Sequence, residues 1–211
     1  MLTKVICVVR GPIGVDVPPV DGLHGYSVVL PSSEVPAEHP DDVGGVASVW
    51  IDGEAIVEPL RWFPGAGVDA YRVEERVQID YERDWPDGQA SPGFHRIVFV
   101  RRAPGITREQ MAAHWSEQHT PLVRQHHPAF SQYVQNVVLD AVTPGTPDVD
   151  GVAEMHFRSL DELRDRFYDS EDGRRIIAED VDRFLDRARG WRILGHEHWV
   201  VTPRTRSDPG R

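Results

Sequence analysis

Apolar and polar positions along the chain predict strands first. LTKVICVV, residues 2–9, is a nearly continuous apolar run rich in β-branched residues and reads as a strand. A second strand is predicted at Tyr26–Leu30 and a third in GVASVWIDG, which an Asp-Gly turn closes. From Tyr71 to Asp84, Val73, Val77, Ile79 and Tyr81 alternate with charged positions, the pattern of a half-exposed strand. The Pro- and Gly-rich stretches RGPIGVDVPPVDG and PSSEVPAEHPDD read as loops, and EAIVEPLRWFPGAGVDA has room for one short helix or turn. WPDGQASPG reads as a linker. Further strands follow at Phe94–Arg101, Phe130–Leu139, Val152–Phe157 and Trp191–Val201.

Helical periodicity is confined to the second half. Thr107 and Gln110 form a capping-box pattern, and Met111, Ala112, Trp115 and His119 then share one apolar stripe. Thr120 followed by Pro121 reads as a second N-cap, so the chain is expected to bend at His119, between two opposing helix dipoles. Ser159 and Glu162 mark another helix start, with Leu160, Leu163 and Phe167 on one face. GRRIIAEDVDRFLDRA places Ile177, Val181 and Phe184 at similar spacing.

The second half therefore reads β-α-β-β-α-β, the ferredoxin-like order. The first half reads as a worn copy: LTKVICVVRGPIG aligns with FHRIVFVRRAPGI, and GVASVWIDGEA with GVAEMHFRSLD. An open four-stranded sheet with helices on one face would expose its other, apolar face, so two such sheets are expected to close on each other. The predicted fold is α+β, with ferredoxin-like repeats forming a pseudo-dimeric α+β barrel. Its expected parts are a degenerate repeat at 1–85, a linker at 86–93, a complete repeat at 94–203 and a flexible tail at 204–211.

Composition narrows the function. The chain has 211 residues and a net charge of −11, which argues against nucleic acid or an anionic membrane surface as partner. No apolar run reaches the roughly 18 residues of a membrane span. The N-terminal run reads as a strand and not as a signal peptide, and the single cysteine, Cys7, fits a reducing cytoplasm and a buried core position.

Four of the ten histidines, His114, His119, His126 and His127, fall between Thr107 and Asn136 and make that stretch the chemical centre. His119 stands on a stripe that should face the core, and imidazole moves protons near neutral pH. A capping histidine bonded to a carbonyl is the bland alternative. Tyr133 and Asn136 lie three apart on the next strand and should point to opposite faces unless a bulge intervenes. A metal site is not expected. His114 and His119 are five apart instead of i,i+4, the adjacent His126 and His127 diverge, and His196 and His198 read as a surface pair flanking Glu197. No nucleotide fingerprint or nucleophile elbow occurs, and the acidic helical faces at 161–186 read as solvated surface.

RRAPGITREQMAAHW–EQHTPLVR, the strand YVQN, and DGVAEMHF with its Leu-Asp-Glu helix resemble the EthD-like family of the dimeric α+β barrel superfamily, over about half the chain. The resemblance implies a sheet lining a pocket that a second copy closes, here the first half, which lacks any Trp–His helix. It implies a small hydrophobic or aromatic partner, either an internal pseudo-dimer or a homodimer, and no cofactor. The expected activity is a cofactor-independent lyase, a dehydratase or cyclase acting on a carbonyl compound. His119 is its expected acid/base, Tyr133 and Asn136 polarise the oxygen, and Trp115, His114, Met111 and His156 bind substrate. Two other readings stand beside it: a non-catalytic binding or accessory protein of an oxidative or polyketide pathway, and a cofactor-less or haem-dependent oxygenase.

Overall fold

Most strands of this chain are apolar on both faces, and a strand buried on both faces needs a layer on each side. β1 (Leu2–Arg10) shows the consequence. Ile6 and Val8 point into one core with Val29, Val46, Tyr71 and Ile97, while Val5, Cys7 and Val9 point into another with Tyr26, Val28 and Val49. The computed structural model describes residues 2–36, 38–53, 57–81 and 83–202. The other strands are β2 (Leu23–Pro31), β3 (Val43–Asp52), β4 (Gly67–Ile79), β5 (Phe94–Val100), β6 (Gln132–Ala141), β7 (Gly151–Phe157) and β8 (Trp191–Val201).

These strands close into an antiparallel barrel in the order β1-β3-β2-β8-β5-β7-β6-β4. The first half contributes β4-β1-β3-β2 and the second β8-β5-β7-β6, the same order four strands on. Two seams join them, β2 on β8 and β4 on β6. Closure pairs every edge that an open sheet would leave exposed. The barrel interior is the first core, and the outer face of the second half carries a third, built on Met111, Trp115, Phe130, Tyr133, Met155, Phe157 and Phe184.

Helices cover only that outer face in any depth. α1 (Pro59–Trp62) is a single turn over the first half. α2 (Arg108–His114) starts at the predicted capping box: Thr107 Oγ1 accepts from Gln110 N, and Gln110 Oε1 accepts from Thr107 N. The predicted bend at His119 is absent. α2 runs through a π-turn (Trp115–His119) directly into α3 (Thr120–His126), and Thr120 has helical φ and ψ of −57° and −43°. Pro121 is the physical reason, because it has no amide hydrogen for the carbonyl one turn back and the ladder widens by a residue instead. His119 is therefore mid-helix, and the opposing-dipole argument does not apply to it.

α4 (Leu160–Asp165) is capped by Ser159 as predicted. α5 (Glu171–Phe184) begins earlier than its periodicity indicated, because Ser170 accepts from Gly173 N and caps it. Among the described residues no helix is long and apolar enough to cross a membrane. The predicted mobile tail lies outside the described residues.

Candidate active site

The helix layer does not seal onto the barrel. Between α2–α3, α5 and the outer faces of β5, β6 and β7 lies a cavity of about 330 Å³ whose wall includes Trp115, His119, Phe130, Tyr133, Met155 and Phe167. Its lining is mainly apolar, and the hydrogen bonds of His119 and Tyr133 orient both groups.

His119 Nδ1 lies 2.8 Å from Asp180 Oδ2, and His114 Nε2 lies 2.8 Å from Oδ1 of the same carboxylate. With Nδ1–H donated to Asp180, the lone pair of His119 sits on Nε2, for which the described residues offer no hydrogen-bond donor. Burial alone would raise the Asp180 carboxyl, but hydrogen bonds from His119 and His114 outweigh it and hold it below the usual carboxylate range. The carboxylate stays ionised and faces two imidazoles.

Tyr133 supplies the complementary group. Its hydroxyl accepts from Trp115 Nε1 at 2.6 Å, with Gln135 Nε2 a longer, shared contact at 3.3 Å. The O–H has no acceptor among the described residues and remains free to donate. Burial pushes this phenol up to about 12, against the pull of the two donors, so it is neutral at any working pH. Gln135 also donates to Trp115 O and Thr120 Oγ1, and the Thr120 hydroxyl donates to Trp115 O as well. The carbonyl displaced by the π-turn is thus fully bonded, and the turn is held in a single arrangement. Burial drives His127 down to about 4, and its ring is a neutral wall stacked on Phe130.

Other residues predicted for the site lie elsewhere. Strand alternation separates Tyr133 from Asn136 without a bulge between them, so Asn136 points into the barrel and donates to Val152 O and Glu154 Oε1. It shares no cavity with His119. His156 points the same way as Glu154, accepts from or donates to Ser131 Oγ through Nδ1, and binds Pro92 O through Nε2. Met111 is core. His114, half-buried, lies outside the cavity lining, where it stacks on Phe184 and binds Asp180.

Asp180 was missed because the acidic faces of residues 161–186 were read as solvated. Its signal was present, since it lies on the apolar stripe between Ile177 and Phe184, one turn from each, and an acid there must have a buried partner. Glu197, expected between two surface histidines, is buried inside the barrel.

A second, larger cavity of about 610 Å³ opens at the barrel end beside Lys4, Trp50, Glu154 and Trp199. Lys4 on its wall is paired, its Nζ lying 2.7 Å from both Glu75 and Glu154.

Gly151 sets the position of the indole. A Cβ there would stand 2.5 Å from Trp115 Cζ3, so Gly151→Ala must displace the ring that holds Tyr133. The expected cost is about 1–3 kcal/mol, as for other overpacked sites, with a change in tryptophan emission. A urea titration followed by fluorescence checks both.

Comparisons with known proteins agree with this architecture. Residues 103–188 match the model of the EthD domain family. No curated protein sequence matches the chain. Among solved structures, an anthrone oxidase-like protein superposes with a TM-score of 0.62 at 11% identity, over 98% of this chain and 96% of its own. A candidate monooxygenase from Lactobacillus acidophilus superposes with a TM-score of 0.51 at 9% identity, over 95% and 94%. At these identities the likeness is one of fold.

Proposed function

From the match of residues 103–188 to the EthD domain family, we propose that the protein is an enzyme that moves a proton at a carbon beside the carbonyl of a small aromatic compound. One observation carries the reading: His119, its Nδ1 tied to a buried carboxylate, lines a largely apolar cavity together with a tyrosine whose proton is free. Nε2 of His119 takes the proton, Asp180 stabilises the imidazolium, and the Tyr133 hydroxyl donates to the enolate oxygen as charge develops there. Trp115 and Gln135 position Tyr133. The first half of the chain serves as the second copy of a fused pseudo-dimer, a reading supported by the repeated strand order and the two equivalent seams.

Two outcomes can follow the shared first step. In a dehydratase or cyclase, the His119 imidazolium returns its proton to a departing hydroxyl or a rearranged carbon. In an oxygenase, the carbanion adds dioxygen and the substrate supplies the electrons. The names of the two structural neighbours favour including this second branch.

The test precedes the branch. Exchange of the α-hydrogens of 1-tetralone in D₂O, followed by proton NMR, is expected to be catalysed by the full chain. His119→Ala should slow it about 100-fold or more, the usual scale for a lost general base. Equal rates for wild type and variant would reduce the chain to a binding or accessory protein. Dioxygen consumption with the same ketone then separates the oxygenase branch from the lyase branch.

A further inference from the structure

The cavity also contains a cation that nothing in the fold accounts for. Arg96 lies on β5 with its side chain on the outer face, between Met155 of β7 and Leu194 of β8, and it lines the cavity. Its guanidinium carbon sits 5.2 Å from the centre of the Phe167 ring, a cation–π contact that fixes where the group lies. Among the described residues it makes no hydrogen bond and no ion pair. Glu38, the acid whose charge reaches it, is committed to Arg192 through both of its oxygens. Burial, with repulsion from Arg192, lowers the Arg96 guanidinium to about 10.

The cavity as a whole has this sign. Its charged lining is Arg96, Arg187 and Arg192 against Asp186 alone, in a chain whose net charge is −11. Arg187 is already paired with Asp182 and with Ala178 O, and Arg192 with Glu38. Arg96 is the cation left over. A guanidinium partly withdrawn from water without a partner loses hydration, and an anion that supplies acceptors offsets that cost. Its planar fork matches a carboxylate in bidentate fashion, which a lysine at the same place would not do.

Resting on the proton-transfer reading of this site, we propose that the natural substrate is an aromatic carboxylate, held through its carboxylate by Arg96 while its ring lies among Phe130, Met155 and Phe167. Arg96 is then the residue that decides which aromatic compounds enter. His119 and Tyr133 act on the carbonyl, and Arg96 fixes the far end of the molecule relative to them.

The experiment compares 2-naphthoate with 2-naphthamide, equal in shape and different in charge, by titration calorimetry on the full chain at pH 7. The carboxylate is expected to bind about ten-fold more tightly or better, the scale of a hydrogen bond to a charged group. Arg96→Gln should bring the two within about two-fold by weakening naphthoate alone, and Arg96→Lys should fall between, keeping charge without the fork. Unchanged naphthamide affinity in Arg96→Gln shows that the cavity is still formed. Equal affinities in the wild type would overturn the anion site and leave the acid/base reading standing. Binding of neither probe would overturn both. A preference that survives in Arg96→Gln and vanishes in His119→Ala would assign the anion to the imidazolium and overturn the role given to Arg96.

Discussion

Lys4→Met is expected to destabilise the barrel by about 3–5 kcal/mol, the range for removing one partner of a buried ion pair. Lys4 is 3% exposed, and its ammonium lies 2.7 Å from Glu154 and 2.7 Å from Glu75, above the Trp50 ring at 4.6 Å. Glu154 in turn approaches His95 at 3.8 Å, and His95 approaches Glu197 at 3.4 Å. The chain of alternating charge links β4 and β1 of the first half to β7, β5 and β8 of the second. Methionine keeps the volume and removes the cation at its centre. The resulting loss would exceed a third of the stability of many domains. Denaturant midpoints measure it, and Lys4→Met with Glu154→Gln should be less destabilised than Lys4→Met alone, because no unpaired carboxylate remains. A single variant as stable as wild type would mean that water already solvates this cluster.

The same cluster sets a pH window. Burial works against the Glu154 carboxylate, but Lys4 and His95 outweigh it and lower it to about 2. Its folded pKa is depressed, so its stabilisation is present above the unfolded value near 4.5 and is lost as pH falls toward 2. Burial also opposes the His95 imidazolium, but Glu197 and Glu154 raise it to about 9. Its folded pKa is elevated, so its stabilisation is present below the unfolded value of 6.5 and is lost as pH rises through 9. Unfolding midpoints should therefore be highest from about pH 5 to 6.5 and fall on both sides. In Glu154→Gln the acid-side fall should shrink.

Asp180→Asn should lower the rate of α-hydrogen exchange about 10²- to 10⁴-fold with little change in KM, the effect expected when a base loses its orienting carboxylate. The amide can accept from His119 Nδ1–H or donate to it, but it cannot offset an imidazolium charge, and the lone pair on Nε2 is no longer enforced. The readout that a merely structural role would not move is the split between kcat and KM, the rate falling while substrate binding is kept. His114→Gln should lose much less, since His114 touches Asp180 from the side away from the cavity. An Asp180→Asn enzyme with the wild-type rate would remove the dyad from the mechanism.

The strands and their order were legible because period-2 alternation and turn residues are local signals. β8 spans Trp191–Val201 as the sequence reading had it, and the Thr107 capping box is present atom for atom. His119 and Trp115 stood out because a histidine on an apolar stripe conflicts with its surroundings. Four residues apart on adjoining helical turns, they still needed the π-turn and Gln135 to be fixed in place, and no local pattern announces a turn whose cause is a missing amide at Pro121.

What the sequence determined by itself was periodicity: which segments are strands, which face of each is apolar, where the helices are capped, and that Tyr133 and Asn136 diverge. What the tertiary structure alone decided was partnership. Asp180 meets His119 across 61 residues, Lys4 meets Glu154 across 150, and Arg96 stays unpaired because Glu38 is taken by Arg192. Burial and pairing depend on distances between segments far apart in the chain, and closing the barrel is what brings those segments together.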